Sequence, residues 1–276
     1  MAIVNQTTEQ MRQRAQETDD QKRAFEKSLK RSVLALLNKI ADDFTVLYSA
    51  TGDIVNAQVY NAELTSILRN SYRKVSDYFK DDYKRLLQEE IDNGNEDLQV
   101  YLDNRKDIQD DINAAVLLLI LSRTQRQSEI ITNTTNTVIQ NSISKVTGDA
   151  LLDGITLTNA EIARQSSKLI KERNDGRSKT ISETEVQSVA ESSKDIEATE
   201  FEEKIQVERR EKQLDKTWIT MGDSDVRPAH AKANGQKKRI SEPYIVGGEL
   251  LKFPGDTSLN ASLGNIINCR CISVIS

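Results

Sequence analysis

The sequence predicts a mainly α protein: long amphipathic N-terminal helices in a bundle, followed by a long helix and a small α+β C-terminal domain. Three observations lead there. No proline occurs before Pro228 in the 276 residues, and an internal proline costs a helix about 3 kcal/mol. Apolar residues in the first part of the chain recur at steps of three and four, the period of a helix with one buried face. All three Pro, the only Trp, the only His, both Cys and six of the 11 Gly fall after position 216, the punctuation of turns and short strands. The charge changes at the same place. Residues 217–276 hold 7 Lys+Arg against 5 Asp+Glu, net +2, while the rest of the chain carries net −7. Three regions are therefore expected: a helical bundle over 1–148, a helical connector over 149–216 and a small tail domain over 217–276.

The first helix is marked by Phe25, Leu29, Val33, Leu36, Leu37, Ile40, Phe44 and Leu47. Thr51-Gly52-Asp53 should break it, with Gly52 in a left-handed turn and Asp53 as the next N-cap. A second stripe runs through Tyr60, Leu64, Ile67, Leu68, Tyr72, Val75, Phe79, Leu86 and Leu87, and Asn93-Gly94 is its expected end. The third segment, about 96 to 146, holds the apolar run Ala114 to Leu121 and then a Thr/Asn-rich stretch poor in helix formers. Long segments joined by tight turns imply antiparallel packing. Thr147-Gly148-Asp149 reads as the next break, and Thr158 with Glu161 has capping-box spacing. Asn174-Asp175-Gly176 reads as a turn, with Thr180 and Glu183 as a second box. The charged stretch after Phe201 reads as a solvated helix held by charge pairs four apart.

Composition excludes several function classes. With 38 Lys+Arg against 43 Asp+Glu, net −5, the chain lacks the bulk positive charge that wraps nucleic acid. Lys237-Lys238-Arg239 is its one strong basic cluster, and three charges on a loop read as solvated surface. An eight-residue apolar run is far short of the roughly 20 residues of a membrane span. The N-terminus has no basic-then-apolar leader pattern. Two Cys make no disulfide scaffold. There is no H-E-x-x-H, G-x-S-x-G or Walker loop, so no enzyme is expected.

The tail carries the chemistry. Cys269 and Cys271 stand two apart, so on extended chain both sulfurs face one point and Arg270 faces the other way. His230 adds a nitrogen donor, and Asp225 or Asp256 could add an oxygen. His230, Cys269, Cys271 and Asp225 together form a candidate metal site, with zinc as the cofactor such donors suit. The alternative is a pair of buried small hydrophobes beside a hydrogen-bonded histidine. A Cys269–Cys271 disulfide would close a strained ring. Asp225 and Arg227 read as structural hydrogen-bonding groups, Trp218 as a core anchor and Pro254-Gly255-Asp256 as a turn. A rival reading makes His230 the base of a cysteine- or metal-dependent hydrolase acting through Cys269 or Cys271.

The order Trp218, Asp225-Val226-Arg227, His230, Gly235, Pro254-Gly255-Asp256 and Asn268-Cys269-Arg270-Cys271 resembles the tail of the phage Mu F-like minor head proteins, also called phage head morphogenesis proteins. The stretch from Arg177-Ser178-Lys179-Thr180 to Glu185 resembles a loose version of the family's Arg-Thr-Glu helix start. The resemblance covers about residues 150–276. It implies a structural minor head protein of a bacteriophage virion, associated with the portal and involved in head assembly or in genome packaging and ejection. The implied partners are the phage portal protein, major capsid or scaffold proteins and copies of this chain, with transient contact with packaged DNA. The implied location is the head interior or portal vertex, after synthesis in the host cytoplasm. Some members carry a further domain after the Cys motif; with five residues beyond Cys271, none is expected here. A second rival reading is a coiled-coil ejection or scaffold protein built from residues 1–216.

Overall fold

The computed structural model describes residues 8–81, 84, 85, 92, 105–209 and 214–275. Helix α1 is Thr8–Thr51, α2 Asn61–Phe79, α3 Arg105–Leu152 and α4 Asn159–Arg209, with a 3-10 turn at Ala57–Tyr60. The tail continues as β1 (Asp215–Ile219), α5 (Pro228–Ala233), β2 (Lys237–Arg239), β3 (Tyr244–Val246), β4 (Glu249–Leu251), α6 (Leu263–Ile266) and β5 (Ile272–Ile275). The protein is mainly α with a small strand-bearing C-terminal region, as the sequence predicts. Among the described residues, no helix is long and apolar enough to cross a membrane.

Several boundaries differ from the sequence reading, each for a physical reason. Gly52 takes its left-handed turn (φ +79°), but Asn56, not Asp53, caps the 3-10 turn, accepting the Gln58 N–H at 3.0 Å. The Thr/Asn-rich stretch is regular helix, and α3 continues past Gly148 to Leu152. Its hydroxyls bond back one turn: Thr132 to the Ser128 carbonyl, Thr135 to Ile131, Ser142 to Val138 and Thr147 to Ile143. These side chains thus satisfy themselves locally and stay compatible with burial. The Thr158–Glu161 capping box forms, with reciprocal bonds of 3.3 and 2.8 Å. Asn174-Asp175-Gly176 is no turn; α4 runs straight through it. Asn174 donates to Asn38 at 3.0 Å and Asp175 pairs with Lys30 at 2.8 Å, and such contacts override a local preference worth about 1 kcal/mol. The stripe positions Leu86 and Leu87, the Asn93-Gly94 stop, the start of the third segment near 96 and residues 210–213 of the charged stretch after Phe201 lie outside the described residues; the part of that stretch up to Arg209 is helix.

Contacts divide the chain into two compact units. The unit of residues 26–71 and 120–182 is four helical segments running up, down, up and down. Lys39 meets Glu63 (2.7 Å) and Asp43 meets the Tyr60 hydroxyl, Thr65 meets Ser128 (3.1 Å) and Gln58 meets Asn133 (2.6 Å), and Asp42 meets Lys171 (2.5 Å) and Asn38 meets Asn174 (3.0 Å), so in each pair rising numbers meet falling ones. Arg177 meets Thr135 (2.9 Å) across the α3–α4 turn. The predicted stripe fills its centre: Leu29, Val33, Leu36, Leu37, Ile40 and Phe44 are all buried.

The unit of residues 1–25, 72–119 and 183–276 holds the tail. Strand β1 lies between β2 and β5, antiparallel to both, with Trp218 opposite Ser273 and Ile219 opposite Ile272. Hairpin β3–β4 turns at Gly247-Gly248, both at positive φ. Ile219, Ile272 and Val274 pack with Ala15 of α1 in one cluster; Trp218, Tyr244, Val246, Leu251, Cys269 and Cys271 form another. Residues 185–194 of α4 are buried on every side although they read EVQSVAESSK. Buried polar groups need partners, and all of these but the Ser188 hydroxyl have one among the described residues. Glu185 accepts from the Tyr72 hydroxyl, Ser193 bonds Ser76 at 2.9 Å, and Ser192 bonds the Ser188 carbonyl. The small serines also let backbone come close. A side chain at Gly255 (φ +84°) would sit 3.3 Å from the Gln187 side chain and 3.5 Å from the Ser188 backbone, which explains the glycine of the Pro-Gly-Asp turn.

Candidate metal centre

Four pieces of local structure bring the tail motifs together. Pro228 opens α5 at its first turn, where a missing N–H does no harm. This short helix points His230, 2% exposed, into the tail core. Trp218 of β1 is fully buried, edge-on to His230 at 5.6 Å and to Tyr244 at 5.2 Å. Arg227 donates to the Ile267 carbonyl, tying the segment before α5 to the one before the cysteines. Asn268 then takes a left-handed conformation (φ +53°), one that Asn tolerates better than most residues, and its N–H donates to the Thr184 hydroxyl at 3.4 Å.

The extended lead-in to β5 alternates as the spacing requires. Cys269 and Cys271 turn inward, each 3% exposed, and Arg270 turns outward to Asp223 at 2.5 Å. His230 Nδ1 lies 3.4 Å from Cys271 Sγ and 3.6 Å from Cys269 Sγ. The three donor atoms are all within 4.8 Å of one another. Both cysteines are free thiols. A hydrogen bond from Cys271 holds the Cys269 thiol well below the usual thiol range against the opposing pull of burial, and His230 adds to the effect. Cys271 is pushed up in turn by its bond to Cys269 and by burial. The pair therefore gives up its first proton readily, the state in which cysteine ligates metals and attacks electrophiles.

Asp225 lies outside this trio. Its side chain is 81% exposed and 3.6 Å from Arg270, and its backbone N–H donates to Asp223 at 3.1 Å. It does line the small cavity, about 20 Å³, that also touches His230, Cys269 and Cys271; that is room for one water or one ion. Asp256 is elsewhere, buried, with its carboxylate accepting from the Lys252 and Ser258 N–H groups of its own turn. In the basic cluster, Lys237 and Arg239 share one carboxylate, that of Asp215, at 2.9 and 3.1 Å.

His230 Nε2 is buried with no hydrogen-bond partner among the described residues, so the ring lacks the outer partner that orients most metal-bound histidines. For the hydrolase reading, the same observation leaves the ring without a third residue to orient it.

One functional group escaped sequence reasoning. Lys22, Gln187, Glu191 and Lys194 form a fully buried polar hub directly behind Cys271. Its members are polar residues on helices, with Lys22 and Glu191 169 positions apart, and no local pattern announces them.

No curated protein and no solved structure matches the chain. Residues 141–274 match the family described as Phage Mu protein F like protein, a family of phage head morphogenesis. That match spans the end of α3, all of α4 and the tail with its His/Cys/Cys cluster, so over this stretch the chain is similar to the Phage Mu protein F like family.

Proposed function

We propose that the chain is a structural minor head protein of a bacteriophage virion, seated at the portal vertex or in the head interior and acting in head assembly or in genome packaging and ejection. The family match over 141–274 carries this reading. The long helices present their solvated faces to the portal protein, to major capsid or scaffold proteins and to copies of this chain. With net −7 on residues 1–216 and a single basic cluster of three residues, contact with packaged DNA is transient, since phosphate binding grows with the number of Lys and Arg engaged. The test is to cross-link purified particles and map this chain's neighbours by mass spectrometry. Cross-links to the portal protein in DNA-filled heads are the expected result. Absence of the chain from particles, or cross-links confined to the outer shell, would overturn the proposal.

The tail domain, in this reading, is closed by a zinc ion held by His230, Cys269 and Cys271, with Asp225, which lines the same small cavity, as the carboxylate for a fourth position. Two sulfurs and one imidazole nitrogen are a donor set zinc favours. The ion would supply a cross-link between α5 and the lead-in to β5, elements 41 positions apart in sequence, and metal binding of this kind is folding free energy.

A further inference from the structure

The hub behind the cysteines connects them to the start of the chain. Lys22 of α1, 1% exposed, donates to Gln187 Oε1 at 2.8 Å and to Glu191 Oε1 at 2.5 Å. Each of these two α4 side chains also grips the cysteine strand. Gln187 Nε2 donates to the Cys271 carbonyl at 2.7 Å, and Glu191 Oε2 accepts the Ser273 N–H at 3.0 Å. Lys194 completes the set at 2.9 Å from Glu191.

The chemistry of these groups gives Lys22 a specific task. An ammonium only donates and a backbone carbonyl only accepts. One orientation of the Gln187 amide satisfies both: oxygen toward Lys22, NH₂ toward Cys271. On the strand side Gln187 Nε2 also donates to the Pro254 carbonyl at 3.4 Å; on the α1 side Lys22 favours the same orientation, since the reversed amide would set its NH₂ against the ammonium. Lys22 thus helps fix how the backbone of a thiol-bearing residue is held. Stability alone is a weak explanation for the arrangement, because well-packed apolar residues commonly replace a buried ion pair without loss.

We propose that the N-terminal turns of α1 and the cysteine strand are coupled through Lys22, with Gln187 as the transmitting residue. A ligand held at the thiol pair tightens the seating of residues 8–25, and displacement of those residues by an assembly partner loosens the pair. Coupling between two binding events is reciprocal, so both directions have the same strength. Lys22 and Gln187 are positioning residues; neither touches the ligand. The zinc arm of the test rests on the metal reading above, whereas the thiol arm does not.

The test uses the full chain. Hydrogen exchange is followed with and without one equivalent of zinc chloride, and cysteine alkylation by N-ethylmaleimide is timed in the metal-free protein at one fixed pH. In the wild type, zinc should slow exchange over residues 8–25 by about tenfold, the scale on which outer partners act on metal sites. Lys22→Met should abolish that response and speed alkylation about tenfold. Gln187→Leu, which leaves the Lys22–Glu191 pair in place, should do the same while α1 stays docked. Lys22→Arg, which keeps donors and charge, should behave like the wild type. Wild-type alkylation and a wild-type zinc response in folded Lys22→Met overturn the proposal. If Lys22→Met does not fold, wild-type behaviour of Gln187→Leu overturns it instead. If the wild type takes up no zinc, the metal reading falls and the alkylation rates alone decide the coupling.

Discussion

Replacing Trp218 by alanine is expected to cost the tail-bearing unit about 3–5 kcal/mol, the range for truncating a fully buried aromatic in a core that cannot collapse onto the gap. Trp218 is 0% exposed and stands edge-on to both His230 and Tyr244. It sits in the middle strand of the β2-β1-β5 sheet, so neither neighbour can close the space without leaving its register. The loss extends to chemistry, because the indole walls the side of the imidazole that would otherwise swing away from the thiols. Urea denaturation followed by far-ultraviolet circular dichroism gives the first number, and faster thiol alkylation in the still-folded variant checks the second. A loss under about 1 kcal/mol, the scale of an ordinary substitution, with unchanged alkylation would show that the tail is not built around this side chain.

Removing Glu191 should be as severe for a different reason. Glu191→Ala leaves Lys22 and Lys194, at most 4% exposed, facing each other with no counter-charge, and deprives the Ser273 N–H of its acceptor. Breaking a buried pair from one side costs about 3–5 kcal/mol, whereas exchanging all the charged members for apolar residues is neutral or stabilising. Lys22→Met/Glu191→Leu/Lys194→Met should therefore recover most of what Glu191→Ala loses, as read from urea midpoints at pH 7. The pH dependence has a definite sign. Burial opposes ionisation of Glu191, but Lys194 and Lys22 outweigh it and hold its carboxyl below the ordinary range. A carboxylate with a depressed folded pKa stabilises above its unfolded value of about 4.3 and loses that contribution as pH falls through the folded value. The wild type should thus weaken on acidification by a component the triple variant lacks. A Glu191→Ala chain as stable as the wild type would contradict this account.

Much of the architecture was legible because burial tracks period. The stripe from Phe25 to Phe44 needed only the spacing of apolar residues, and the Thr158–Glu161 box only two side chains three apart. Cys269 and Cys271 could be aimed at one point because extended chain alternates, and the structure brings His230 to them. What misled were local breakers inside long helices. Gly148 and Asn174-Asp175-Gly176 argue for turns on propensity, yet Asn38 and Lys30, more than a hundred positions away, engage Asn174 and Asp175 and hold the helix straight. The hub was not legible at all. EVQSVAESSK has no apolar period, and its burial depends on Lys22, Tyr72, Ser76 and β5 converging from distant parts of the chain. Asp225 matched by residue type, but its backbone holds it at the rim, beside Arg270.

X-ray absorption at the zinc edge, on the full chain purified without chelators, tests the central claim most directly. The account predicts one zinc per chain bound by two sulfurs at about 2.3 Å and one imidazole nitrogen at about 2.0 Å, with the sulfur signal halved in Cys269→Ser. A chain that carries no zinc, or carries it on oxygen and nitrogen atoms alone while both thiols remain free, would contradict it.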